Sequence, residues 1–268
     1  MSASAIGRPA APRWALTAVR VRLTLVGLLV GVAVVAWWWT ARQMRGMDSG
    51  PWTGLGGFGW FVSVWLVMMA AMMFPSVAPT IALYSRMTSR RSPLQPLVFA
   101  AGYLMTWTAA GVAAYVLARL GGSVFGGVLE WHRGGRWIAA AALGAAAVYE
   151  LTPLKDVCLG KCRSPLGGLL GSWRGGVRGA FTMGTKNGGW CLGCCWALML
   201  SLFALGIMSL FWMALVAAVI AVEKLLPWQR VATFGTTAIL AVLAILVAAA
   251  PHAVPWLTIP SSTIDMGM

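Results

Sequence analysis

The sequence predicts an all-α polytopic membrane protein of about seven transmembrane helices, with its N-terminus inside and its C-terminus outside. Three observations carry that reading. The 268 residues are 60% apolar and only 10% charged, with a mean hydropathy of +0.80. Apolar runs of about twenty residues recur along the whole chain, each long enough as a helix to cross about 30 Å of hydrocarbon. The basic residues stand between those runs, where they set membrane orientation. The net charge of +14 therefore does not point to nucleic acid, since the pattern leaves no separate soluble module to hold it.

In order, residues 1–20, with Arg8, Arg13 and Arg20, read as a disordered basic tail. Residues 21–250 read as the seven-helix membrane domain and 251–268 as a short external tail. The first span, about 21–39, closes on Trp37-Trp38-Trp39, an interfacial aromatic belt. No small-residue cleavage site follows, so it reads as an uncleaved anchor. The second span, about 58–84, contains Pro75 and Pro79, which predict a kinked or broken helix with freed carbonyls. The third and fourth spans are about 94–120 and 137–151. A long glycine-rich loop at 152–189 then carries Cys158 and Cys162. The fifth span opens at the second cysteine cluster and runs to about 206, the sixth ends at Glu223-Lys224, and the seventh covers about 231–250.

Twenty lysines and arginines fix the orientation. With the N-terminus inside, Arg42, Arg45, Arg119, Arg133 and Arg136 fall outside, which leaves the other fifteen of the twenty inside. Both cysteine clusters then face the cytoplasm, where thiols stay reduced and metal binding is favoured over a structural disulfide.

The chemistry centres on Trp190-Cys191-Leu192-Gly193-Cys194-Cys195-Trp196. Cys-x-x-Cys is a frequent metal or redox spacing, and a helix puts Cys191 and Cys195 on one face with Cys194 beside them. A helix N-terminus at this point would favour the thiolate. The bland alternative is small buried hydrophobes in a membrane helix. Cys158 and Cys162 precede this cluster at the same membrane face, so the two clusters are expected to share one site built first on Cys158, Cys162, Cys191 and Cys195, with Cys194 a further candidate ligand for which packing is the alternative.

Met68, Met69, Met72 and Met73 form two i,i+4 pairs. Their thioethers are soft ligands suited to Cu(I), as thiolates are; alternatively they fill irregular helix contacts. Glu150 and Glu223 lie at the ends of expected spans, where a carboxylate calls for a partner. Each is a candidate metal ligand or proton carrier, or one half of an ion pair with Lys155 or Lys224. His132 and His252 stand alone near membrane ends and are left out of the site.

Taken together, Met68-Met69-Ala70-Ala71-Met72-Met73-Phe74-Pro75, Leu151-Thr152-Pro153-Leu154-Lys155, Cys158-x3-Cys162-Arg163-Ser164-Pro165, Cys191-Leu192-Gly193-Cys194-Cys195-Trp196 and Glu223-Lys224 resemble a bacterial family of predicted metal-binding integral membrane proteins of unknown function. The resemblance spans roughly residues 60–227 and implies a metal site without naming the metal or a reaction. Members often carry histidine where this chain has Asn187, which implies one ligand fewer here and more work for the cysteines.

These features favour a multi-pass protein of the bacterial cytoplasmic membrane. It would bind a soft metal, copper(I) ahead of zinc or iron, for transport or for delivery to a partner metalloprotein or metallochaperone. A membrane thiol-disulfide oxidoreductase is the enzymatic alternative, and it needs cysteines on the oxidising side, against the charge count. A metal-dependent membrane oxygenase or electron-transfer subunit is the third, and scarce histidine weighs against it. No hydrolase elbow, phosphate loop or zinc-protease motif is present.

Overall fold

The computed structural model describes residues 13–43, 57–88, 94–129, 134–164, 167, 171, 173–205, 209–225 and 229–250. Residues 1–12, the 251–268 tail, His132 and His252 lie outside them. The described residues are helical throughout their regular structure: α1 Arg13–Gln43, α2 Phe58–Thr88, α3 Gln95–Leu129, α4 Arg136–Glu150, α5 Pro153–Arg163, α6 Gly176–Leu205, α7 Leu210–Leu225 and α8 Gln229–Ala249. The first helix thus begins inside the stretch expected to be a tail.

Against the seven expected spans, three helical stretches among the described residues are long and apolar enough to cross a membrane: Phe58–Thr88, Gln95–Gly121 and Arg230–Ala249. A fourth is added if α4 and α5, bent by 67° at their junction, count as one broken span. The remaining helices differ for simple reasons. α7 has only 16 residues, and the first half of α6 carries Arg178, Lys186 and Asn187 among its glycines.

α2 is the central element. Of its apolar window 61% is buried, against 33% for α3 and 28% for α8, and α1, α3 and α7 pack against it. The expected break at its prolines does not occur, and one helix runs through both Pro75 and Pro79. Each proline removes one backbone donor, but both rings point outward, so neither intrudes on the core. α1 packs along α2, α3 along both α2 and α6, and α4 along α8.

The expected loop at 152–189 is mostly helix, and both of its helices position the site. α5 has a plain local cause. Thr152 is its N-cap and accepts the Lys155 backbone N–H, while Pro153 takes the first turn, where its missing N–H costs nothing. α6 starts at Gly176, whose φ of +79° suits glycine. Its glycines serve packing rather than a loop. A Cβ at Gly184 would collide with the Phe99 carbonyl, and one at Gly102 with the Phe181 carbonyl, so α3 and α6 cross with their backbones nearly touching. Thr106 Oγ1 donates to the Thr185 carbonyl at 3.1 Å across the same seam.

Candidate metal centre

That close crossing fixes the middle of α6 at the centre of the molecule, and there it presents its cysteines. Cys191, Cys194 and Cys195 occupy i, i+3 and i+4 of one helix, which places them on adjoining faces. All three are buried, and their sulfurs lie within 4.8 Å of one another. Cys194 Sγ stands 3.3 Å from Cys195 Sγ and 3.2 Å from the Cys191 carbonyl oxygen. Cys191 begins sixteen residues into a helix that starts at Gly176, so the expected helix N-terminus does not act on it.

α5 folds back over this cluster, but the two upstream cysteines do different things. Cys162 Sγ lies 3.7 Å from Cys194 Sγ. Cys158 packs against Gly193, where a Cβ would sit only 2.7 Å from its sulfur. Cys194, the candidate ligand for which packing was the alternative, lies between Cys162 and Cys195 and links both clusters. The i+3 position points inward here because α5 covers that side of α6, which sequence spacing does not reveal.

Of the four methionines, Met73 reaches the cluster, with its sulfur 3.9 Å from Cys191 Sγ. Met68, Met69 and Met72 are buried in the apolar core around it. The carboxylates do not join the sulfur group. Glu150 and Glu223 both close on Lys155, whose ammonium contacts Glu150 Oε2 and lies 2.9 and 2.8 Å from the two Glu223 oxygens. This buried triad ties α4, α5 and α7 together beside the site. A carboxylate already paired with an ammonium is a poor ligand for a soft ion.

Lys224, a candidate partner for those carboxylates, turns the other way. Its ammonium lies 2.9 Å from Cys191 Sγ and 3.4 Å from Ser76 Oγ. Tyr103 of α3 places its hydroxyl 2.9 Å from the same sulfur. Sequence spacing missed Tyr103 altogether, since it lies 88 positions from Cys191. On the far side of the cluster, the Tyr149 hydroxyl donates to the Gly193 carbonyl at 2.5 Å and its ring meets Trp196 edge-on at 4.9 Å, which holds this turn of α6 in place.

Three soft donors facing one another inside the protein, with a thioether and a fourth thiol at the margin, are the ligand types that Cu(I) selects. A family model described as a copper chaperone, PpoB2, matches residues 62–247, which include every cysteine and all four of these methionines. The chain belongs to this copper chaperone family. No curated protein and no solved structure matches it. In a copper chaperone the ion is cargo, so its donors must both hold it and let it go. The mixture of buried cysteines and a part-exposed Cys162 suits that double requirement.

Proposed function

We propose that this chain is a multi-pass protein of the bacterial cytoplasmic membrane that holds Cu(I) on Cys191, Cys194 and Cys195 and delivers it to a partner metalloprotein or metallochaperone. The carrying observation is the group of three sulfurs within 4.8 Å of one another, inside the stretch matched by the copper chaperone family. Met73 and Cys162 are the auxiliary donors, placed by their distances to Cys191 and Cys194.

Membrane embedding draws its support from the outward faces. Val30, Val34 and Val35 of α1, Leu117 and Leu120 of α3, and Val231, Phe234 and Ile245 of α8 are exposed. Apolar surface on several separate helices suits lipid better than water. The charge count orients the chain with its N-terminus in the cytoplasm and its C-terminus outside. The cysteines then meet reduced cytoplasmic copper, and the bound ion needs no redox step.

The test is elemental analysis of the full chain, purified in detergent without oxygen and loaded with Cu(I). About one copper per chain is expected for the unaltered protein, and almost none for Cys191→Ser with Cys194→Ser and Cys195→Ser. A triple variant that keeps its copper refutes the site. An unaltered chain that binds none refutes the function.

A further inference from the structure

Solvent reaches one thiol of this group more than the others. Cys191, Cys194 and Cys195 are buried, as is Cys158, whereas Cys162 is half-buried. Cys162 stands in the last turn of α5, directly before Arg163, and the backbone leaves the helix at Ser164. Its sulfur lies 3.7 Å from Cys194 Sγ, so a movement of roughly 1.7 Å takes the pair to a bonded separation of about 2.05 Å. The other pairings are worse placed. The Cys194 and Cys195 sulfurs are 3.3 Å apart. Their Cα atoms, however, are consecutive and so stand only about 3.8 Å apart across a trans peptide, short of the roughly 4.4 Å at which disulfides begin. A small pocket reaches Cys162 and Cys191 together, with Asn187 in its wall. Cys191 is nevertheless buried, and its sulfur already meets Lys224 Nζ and the Tyr103 hydroxyl, each at 2.9 Å. Cys158 packs on Gly193. An accessible thiol poised beside a buried one is the arrangement of redox-sensing cysteines.

We infer that hydrogen peroxide oxidises Cys162, that Cys194 closes a reversible disulfide onto it, and that the closed form cannot hold Cu(I). The last step rests on the copper-binding reading above; the link itself does not. First the Cys162 sulfur takes an OH from hydrogen peroxide, the O–O bond breaks, and the second OH leaves with the thiol proton as water. Cys162 is then a sulfenic acid. Next the Cys194 sulfur attacks the Cys162 sulfur. The S–S bond forms, the S–O bond breaks, and the departing hydroxide takes the Cys194 proton to make a second water. The two thiols have given two electrons, and one peroxide has become two waters. A dithiol returns those electrons by thiol–disulfide exchange and reopens the pair. Closure takes Cys194 out of the sulfur group and Cys162 from its margin, which leaves Cys191 and Cys195 alone. α5 therefore carries the thiol that turns the copper site off. Transient, redox-sensing links of this kind are the disulfides that do form in a reducing cytoplasm.

The experiment treats the reduced, copper-free full chain in detergent with a stoichiometric amount of hydrogen peroxide. Catalase then removes any excess, the chain is unfolded in acid, free thiols are alkylated, and the products are mapped by fragmentation mass spectrometry. Two of the five thiols should escape alkylation, with Cys162 joined to Cys194. The treated chain should lose its capacity for Cu(I), and dithiothreitol should restore it. Cys162→Ser, compared with its own untreated form, should make no link and lose no copper capacity, because its remaining thiols are buried. Cys158→Ser should link as the parent does. A link through any other pair, or a Cys162 that passes to its sulfinic acid unlinked, overturns the inference, and this arm needs no variant to fold. Loss of copper capacity in treated Cys162→Ser as fast as in the parent overturns it as well, as does a linked chain that loads copper normally. A reduced chain that links but never loads copper overturns the earlier reading instead.

Discussion

Cys162 and Cys194 bring their sulfurs to 3.7 Å although 32 positions separate them in the chain. The link exists because α5 turns back at the 67° bend after α4 and lies against α6. Thr152 and Pro153 set that turn.

The first prediction separates the two upstream cysteines. Cys162→Ser removes a soft donor beside Cys194 and should weaken Cu(I) binding about tenfold, the lower end for loss of a group supporting a metal ligand. Its copper-to-protein ratio should not change. Cys158→Ser should leave affinity alone, because that sulfur packs on Gly193. Competition titration against a coloured Cu(I) chelator measures both. Equal losses in the two variants would mean that both thiols ligate.

The second concerns the methionines. Met73→Leu removes the sulfur that lies 3.9 Å from Cys191, whereas Met69→Leu changes a buried residue of the surrounding core. Swaps of leucine for methionine usually cost less than about 1.5 kcal/mol in packing, so both variants should fold. Met73→Leu should bind Cu(I) about tenfold more weakly, and Met69→Leu as tightly as the parent. If the same titration finds Met73→Leu unchanged, that thioether is a packing group only.

The part of this site legible in the sequence was what the chain keeps close or repeats. Apolar runs predicted helices, and α2 covers its expected stretch and runs on to Thr88 without the expected break at Pro75 and Pro79. The meeting of Cys162 with the second cluster agrees with placing both clusters at one face, although the α6 cysteines lie in mid-helix and not at an end. The stretch 184–189 was misleading, because glycine reads as loop in composition yet here lets α3 and α6 approach. The Thr-Pro start of α5 was a readable capping signal that composition obscured. Tyr103 and Lys224 reach Cys191 from 88 and 33 positions away, and nothing local to either residue encodes that meeting.

The third prediction tests the charged triad as scaffold. Lys155 is the shared partner of Glu150 and Glu223, and all three are buried. Lys155→Met leaves two carboxylates without their cation, and breaking a buried pair in this way costs about 3–5 kcal/mol. Thermal unfolding in detergent should therefore fall sharply. Adding Glu150→Gln and Glu223→Gln to that variant should restore much of the loss by removing the unpaired charges. If the triple variant is no more stable than Lys155→Met alone, packing by the lysine stem, not charge, is what matters there.

The last prediction concerns metal choice at Asn187. This residue lines the pocket with Cys191, one helical turn before it on α6. Three thiolates with one imidazole make a Cys3His set, which closes a tetrahedral site for zinc, whereas Cu(I) is content with fewer soft donors. Asn187→His should therefore raise zinc affinity far more than Cu(I) affinity, and the unaltered chain, with an amide at this place, should take up less zinc than the variant. Dialysis against equimolar zinc and Cu(I) without oxygen, followed by elemental analysis, gives the ratio directly. Bound zinc should appear in Asn187→His and stay low in both the parent and Asn187→Gln, which keeps the amide. Unchanged zinc in the histidine variant would mean that position 187 does not face the ion, and that selectivity is set by the sulfurs alone.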